Sequence, residues 1–314
     1  MDDKPVISVV MAVCNGARTL ERSVQSILKQ TAGHFEFVII DDGSIDETPE
    51  LLEKFSRLDR RIRVATQANA GLTRALISGC RIAQGKWIAR QDADDWSAPF
   101  RFEKCLALAE RHPECTMISS WAEYRGPEGE LLDVIHRPPD VDAATKWLMQ
   151  DGLGPPAHGS MMFRKEACEN AGGYRAEFYF GQDSDLWLRM GQSGKIGYVQ
   201  EVLYQYTLLP GAISGRFAGV QRQFGDIGHL CHEARLRGEP EKPFLDRASG
   251  LASAVHLKKI RAAPRSEAGA NYRIGVQLAR RGDPAASQYF REALRLQPLH
   301  WRAIGRMALC ALKK

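Results

Sequence analysis

The run Val6-Ile-Ser-Val-Val-Met-Ala-Val13 restricts the fold more than any other stretch, because it is apolar or β-branched almost throughout. A strand wet on one face alternates polar and apolar residues, whereas an unbroken run is covered on both faces, as in a parallel sheet between helical layers. Cys14-Asn15-Gly16 ends the run as a turn, and Leu20, Val24, Ile27 and Leu28 then fall at i, i+4, i+7 and i+8, one apolar stripe that covers a sheet. The unit recurs. Phe35–Ile40 reads as a second strand ending in Asp41-Asp42-Gly43-Ser44, and Asp46 reads as the N-cap of a helix with Pro49 in its first turn. Ile62–Ala65 is the third strand. Leu72, Ala75, Leu76, Gly79, Ile82 and Ala83 mark the next covering helix, and Trp87–Arg90 the fourth strand. Strands alternating with helices predict an α/β fold with an open parallel sheet.

Ligands of such sheets sit beyond the carboxyl ends of the strands. Three ends here are polar: Cys14-Asn15-Gly16, Asp41-Asp42-Gly43-Ser44 and Asp92-Ala-Asp94-Asp95. The last crowds three carboxylates into four residues, which repel one another unless a cation joins them. No Gly-x-Gly-x-x-Gly follows the first strand and no Gly-x-x-x-x-Gly-Lys-Ser/Thr occurs anywhere, so neither phosphate-binding glycine loop is present. Mg²⁺ or Mn²⁺ on the carboxylates is the alternative way to hold a diphosphate, since a hard cation uses few protein oxygens and takes the rest from phosphate and water.

The 314 residues, 44% hydrophobic and 26% charged, suffice for one large core or two smaller ones. No window approaches the roughly 20 apolar residues of a spanning helix. The acidic N-terminus leads into a strand, and a cytoplasmic location is expected. Seven cysteines (Cys14, Cys80, Cys105, Cys115, Cys168, Cys231, Cys310) are scattered without a Cys-x-x-Cys pair, as reduced packing residues would be. Residues 201–314 hold 19 Lys/Arg against 9 Asp/Glu, while residues 1–200 are net acidic. That bias suits an anionic membrane surface, a phosphorylated acceptor or nucleic acid, and equally a solvated helical face.

In the second half, Gly152-Leu-Gly-Pro-Pro156 is a loop leading to His158 and the strand-like Ser160-Met-Met-Phe163. A lone histidine so placed is more often structural than functional. Gln182-Asp183-Ser184-Asp185 opens a helix, where one aspartate serves as a cap gaining about 0.3–1 kcal/mol from the dipole. His229-x-Cys231-His232 lacks further ligands and reads as packing residues. Arg261–Lys314 resembles a single tetratricopeptide helical hairpin, expected to pack on the rest of the chain.

Six stretches together carry a wider resemblance: Val6 to Gly16, Phe35 to Thr48, Asn69-Ala-Gly-Leu-Thr73, Ile88 to Asp95, His158-Gly-Ser-Met-Met-Phe-Arg164 and Gln182 to Leu188. In this order, over about residues 5 to 215, they resemble the family-2 inverting glycosyltransferases of the GT-A fold. The resemblance implies a GT-A type open, mostly parallel sheet sandwiched by helices in residues 1–215. A helical C-terminal region would follow in 216–314, with the hairpin at about 265–314. It implies a nucleotide-diphospho-sugar donor, UDP-sugar foremost, and a divalent metal. A glycan or lipid-linked acceptor is expected with it; peripheral contact with an anionic membrane is expected from the basic C-terminal third, and no nucleic-acid partner is expected. By position, Asp42 reads the base, Ala12 and Cys14 line its pocket, and Asn15, Gly71 and Arg90 join the donor site through their motifs. Asp92 and Asp94 form the Asp-x-Asp pair for ribose and metal, with Asp95 an alternative metal ligand. His158 lies near the phosphates, Asp183 is the base, and Asp185 is a structural neighbour whose removal would cost at most about 1 kcal/mol. Ala12, Cys14 and Gln182 depart from the family's usual residues, and a catalytically inactive scaffold is the alternative reading. The Gln-x-x-Arg-Trp of processive synthases is absent, which implies transfer of one sugar per encounter.

Overall fold

The computed structural model describes residues 4–212, 217–256 and 264–311. The predicted alternation is present through the fourth strand: β1 (Ile7–Val13), α1 (Ala17–Leu28), β2 (Phe35–Asp41), α2 (Thr48–Leu58), β3 (Ile62–Thr66), α3 (Leu72–Ile82) and β4 (Trp87–Arg90). These four strands are parallel in the order β3-β2-β1-β4, so the order reverses at β1, and the crevice opens where β1 and β4 diverge. The helix after β2 begins at Thr48, one residue later than a cap at Asp46 requires. Asp46 still serves it, accepting from Thr48 N (3.0 Å) and also from Ala17 N of α1 (3.2 Å).

β1 shows why its sequence does not alternate. Ile7, Val9, Met11 and Val13 pack with Leu20, Val24 and Ile27 of α1 on one face of the sheet. Val10 packs with Ala75 and Leu76 of α3 on the other. Each such side chain, fully buried, contributes about 1.5–3 kcal/mol.

After β4 the alternation stops. β5 (Trp96–Ser97), α4 (Arg101–Arg111), β6 (Cys115–Arg125), β7 (Leu131–Ile135), α5 (Val141–Asp151), β8 (Met162–Arg164), α6 (Lys165–Asn170), α7 (Gln182–Met190) and β9 (Lys195–Thr207) follow. They extend the sheet as β4-β8-β6-β9-β5, with β7 also on β6. β8 runs antiparallel to β4 and β6, and β5 antiparallel to β9, whereas β6 and β9 are parallel. Strands at β6, β7 and β9 were not anticipated. Ser160 closes a 3₁₀ turn (His158–Ser160), not the start of a strand, so β8 is shorter than its sequence suggests.

The expected division at 215/216 falls outside the described residues. Beyond it, α8 (Ala218–Leu236) and α9 (Lys242–His256) bury Phe224, Ile227, Cys231 and Ala248 against Phe178 and Phe180. His232 of the His-x-Cys-His stretch is buried, with its Nε2 3.1 Å from the Met149 carbonyl, a packing role. α10 (Pro264–Arg280) and α11 (Ala286–Leu296) form the expected hairpin, where a Cβ on Gly275 would come 2.7 Å from the Phe290 ring. The hairpin packs on β7 through Ile274, Leu278, Tyr289 and Leu132, and the Tyr289 hydroxyl donates to Glu130 Oε1 (2.7 Å). α12 (Trp301–Ala311) completes it. Cys14, Cys80, Cys105, Cys115, Cys168 and Cys231 are free thiols. Among the described residues no helix is long and apolar enough to cross a membrane.

Candidate active site

The end of β4 delivers the acidic turn, and Arg90 is its fixed centre. Wholly buried, Arg90 donates through Nη2 to Asp92 Oδ1 (2.6 Å), through Nη1 to the carbonyls of Val10 and Gln91, and through Nε to His158 Nε2 (3.3 Å). A buried guanidinium is tolerable only with such partners. Asp95, expected as an alternative metal ligand, is turned away. Its Oδ1 accepts from Thr207 N (2.8 Å) and its Oδ2 from the Tyr204 hydroxyl (2.8 Å), so it ties the acidic turn to β9. Burial, then Asp94 and Asp92, push its carboxyl well above the usual range. Asp92 and Asp94 are the carboxylates of the turn that line the cleft. Burial and the Asp92 charge push Asp94 up to about 7.

Two hard carboxylates, one of them raised by burial and by the charge of the other, fit Mg²⁺ or Mn²⁺, which would relieve both. No cluster of three or more ligating side chains occurs among the described residues, so further ligands would have to come from a diphosphate and water.

At the end of β2, Asp42 is buried and bound by its own chain. Oδ1 accepts from Ala70 N (2.9 Å) and Gln67 Nε2 (2.8 Å), and Oδ2 from Gly71 N (2.8 Å). Of the about four acceptor sites of a carboxylate, one is left. Gly71 has φ 89° and packs so closely on Tyr179 that a Cβ would lie 2.7 Å from the ring, two reasons for glycine. At the end of β1, Ala12, Cys14 and Asn15 line the cleft. Asn15 adopts φ 54° and spans to the β2 loop, donating its N–H to Ser44 Oγ (2.9 Å) and accepting from Ile45 N (2.8 Å). The exposed Cys14 thiol accepts from Asn69 Nδ2 (3.2 Å), and partial burial raises its pKa, so it stays a thiol.

Asp183 closes the far wall. The cap of α7 is Gly181 at φ 68°, so Asp183 sits inside the first turn, where Ser184 N donates to its Oδ1 (2.8 Å). Burial raises its pKa, and Asp92 adds to the shift. Asp185 is another matter. It is fully buried, accepts from Arg189 Nε and Nη2 (3.1 and 2.7 Å) and lies 3.5 Å from Arg175 Nη1, so the expected small cost of removing it does not hold. His158 lines the cleft between Asp92 and Asp183, and burial with Arg90 beside it holds its pKa well below the ordinary value. The whole cleft has a volume of about 870 Å³, and Tyr124, Phe180, Tyr206 and Phe217 give its lining an aromatic part. Tyr174, Tyr204 and these aromatic side chains went unread, because they come from other elements, Tyr204 112 residues beyond Asp92, and carry no local motif.

Three comparisons bear on this arrangement. EpsE of Bacillus subtilis, a protein named as a glycosyltransferase, is 32% identical over 214 residues, 65% of this chain and 74% of that one. TarS 1–349 of S. aureus superposes with a TM-score of 0.57 at 15% identity over 97% of this chain and 89% of that one. A mannosyltransferase of Pyrobaculum calidifontis, solved in complex with GDP-Man and Mn²⁺, superposes with a TM-score of 0.57 at 17% identity, covering 98% and 84%. These two establish a GT-A-like fold. The family described as Glycosyl transferase family 2 matches residues 8–172, more than half of the chain, and together with the glycosyltransferase relatives this makes the protein a glycosyltransferase that belongs to family 2.

Proposed function

We propose that this glycosyltransferase moves one sugar from a nucleotide-diphospho-sugar, a UDP-sugar foremost, to a hydroxyl of a cell-surface glycan or lipid-linked oligosaccharide precursor, inverting the anomeric centre. The observation that carries the reading is Asp183: a carboxylate with a raised pKa, free of any capping role, lining the same cleft as Asp92 and Asp94. TarS has been solved with UDP and with UDP-GlcNAc, and the mannosyltransferase with GDP-Man, which supports a nucleotide sugar as the donor class.

Asp94, with Asp92, would hold the divalent cation, which supplies positive charge against the diphosphate when bound. Ala12, Cys14 and Asn15 receive the nucleotide end. Asp42 acts there through the 67–71 loop it holds, with one acceptor site left for a base N–H. Asp183 accepts the proton of the acceptor hydroxyl as that oxygen attacks C1 and the C1–O bond to diphosphate breaks, and its raised pKa suits a base working near neutral pH. Release of nucleoside diphosphate from a panel of nucleotide sugars with Mn²⁺ tests the reading, and a panel on which neither turnover nor binding occurs overturns it.

Contact with an anionic bilayer, expected from the basic C-terminal third, belongs in this proposal to the start of α12. Leu299, Trp301 and Ile304 are 85%, 73% and 49% exposed, and the Arg302 guanidinium lies 5.0 Å from the Trp301 ring. From Leu299 to Lys314 the sequence has four Lys/Arg and no Asp/Glu. An apolar face with a basic flank is what an interfacial helix presents, each basic residue adding about 1 kcal/mol on an anionic surface. Vesicles rich in phosphatidylserine should float the protein at low salt and release it at high salt, and Trp301→Ala should weaken flotation. Self-association through this face without flotation would contradict the assignment.

A further inference from the structure

We infer that His158 serves the donor as a neutral hydrogen-bond donor through Nδ1–H, locked in that tautomer by Arg90 and Tyr174, and that Tyr174 is therefore a positioning residue for the reaction. The inference rests on reading the cleft as the nucleotide-sugar site.

An arginine in a protein keeps all its protons, so Arg90 Nε presents an N–H to His158 Nε2 at 3.3 Å. Two N–H groups cannot face each other, and Nε2 must offer a lone pair. The Tyr174 hydroxyl reaches the same nitrogen at 2.7 Å. Burial pushes its pKa well above the ordinary value, so it remains a donor. Arg90 cannot swing away, because its other nitrogens are committed to Asp92 and to the Val10 carbonyl. With Nε2 an acceptor, the neutral ring carries its proton on Nδ1. That nitrogen has no hydrogen-bond partner among the described residues and belongs to a ring that lines the cleft. A second proton would set an imidazolium against the buried guanidinium.

The arrangement is thus a fixed N–H backed by a buried positive charge, which suits an anionic oxygen. The diphosphate of the donor is the group of that chemistry the cleft is read to hold. Its leaving oxygen gains negative charge as the C1–O bond breaks, and a preoriented donor stabilises that charge without reorganising. Tyr174 touches neither reactant. It keeps the ring's plane and tautomer, as outer-shell partners of ligating histidines do.

The experiment is ¹⁵N-edited NMR of histidine-labelled protein, with the His158 signals assigned by their loss in His158→Asn. A pyrrole-type Nδ1 and pyridine-type Nε2, unchanged between about pH 6 and 8, are expected, and UDP with Mg²⁺ should shift the Nδ1–H signal. An Nε2–H tautomer, or an imidazolium in that range, overturns the inference. UDP that moves other histidine or cleft signals but not His158 overturns it while sparing the cleft reading, whereas UDP that moves nothing removes both. Kinetics give the second arm. His158→Ala should lose about 10²–10³-fold in kcat. His158→Asn, whose amide N–H falls near the Nδ1 position, should recover part of that, and His158→Gln, whose amide falls near Nε2, should not. Tyr174→Phe should lower kcat about tenfold at unchanged donor KM and allow the second tautomer to appear. Equal rates for the Asn and Gln variants would contradict the assignment of Nδ1.

Discussion

Asp183 and Asp185 are one residue apart at the start of α7, yet one lines the cleft and the other is wholly buried between Arg189 and Arg175. Asp183→Asn keeps the shape and the Ser184 contact but cannot take a proton, so transfer should fall about 10²–10⁴-fold with donor affinity and melting temperature nearly unchanged. Asp185→Asn should do the reverse. It leaves the buried Arg189 without its carboxylate, Arg175 keeping Glu241, and should cost about 3–5 kcal/mol in denaturant unfolding. A third aspartate gives a pH signature. The folded pKa of Asp94, about 7, lies above its unfolded value, so its contribution to stability is full below the unfolded pKa near 4 and is lost as pH rises through the folded one. Metal-free Asp94→Asn should therefore melt above wild type at pH 8 and level with it near pH 4. A gap independent of pH would show that Asp94 is not the carboxyl under strain.

At the scale of elements, the acidic turn after β4 is held from two directions. Arg90 grips it from below, and Tyr204 and Thr207 of β9 reach it through Asp95. The 3₁₀ turn bearing His158 presses against the same point: a Cβ on Gly159 would lie 1.7 Å from the Tyr204 hydroxyl and 3.0 Å from Asp92 Oδ2. Gly159→Ala should displace Tyr204 from Asp95 and lower both activity and melting temperature, and a variant with wild-type values would show that the turn is not packed against Tyr204. This level also marks how far the sequence could be read. β1, β2 and β4 were legible because a doubly covered strand leaves a mainly apolar run and the polar residues at its end need no partner to be noticed, whereas the largely exposed edge strand β3 was read from its β-branched Ile62 and Val64. Asp92 and Asp94 stand at such an end and drew notice as a carboxylate cluster, whereas Asp183 opens a helix and was read as the base only through the resemblance; all three line the cleft. The role of Asp95 was not legible, since nothing beside it announces that Thr207 will claim its oxygen. Asp42 was read as a contact for the base, and its bonds to Gln67, Ala70 and Gly71 emerge only when the loop folds back. The long β6 and β9 escaped because their pairing, parallel to each other and antiparallel to β8 and β5, depends on distant partners and not on a local period.

For the whole molecule, the C-terminal helices are part of what positions Asp183. Phe178 and Phe180 lie a few residues before Asp183 and share a core with Phe224, Ile227 and Ala248. A chain ending at residue 212 should uncover that core, bind donor weakly and lose transfer, and a truncated protein with full activity would show that the helices are dispensable. Donor turnover by wild type and Asp183→Asn, followed as nucleoside diphosphate release with Mn²⁺ and a competent acceptor, tests the central claim most directly. At least one nucleotide sugar should be turned over by the wild type, and the variant should bind it equally well while releasing nucleotide about 10²–10⁴-fold more slowly. Equal rates for the two proteins at saturating donor would contradict the assignment of Asp183 as the base.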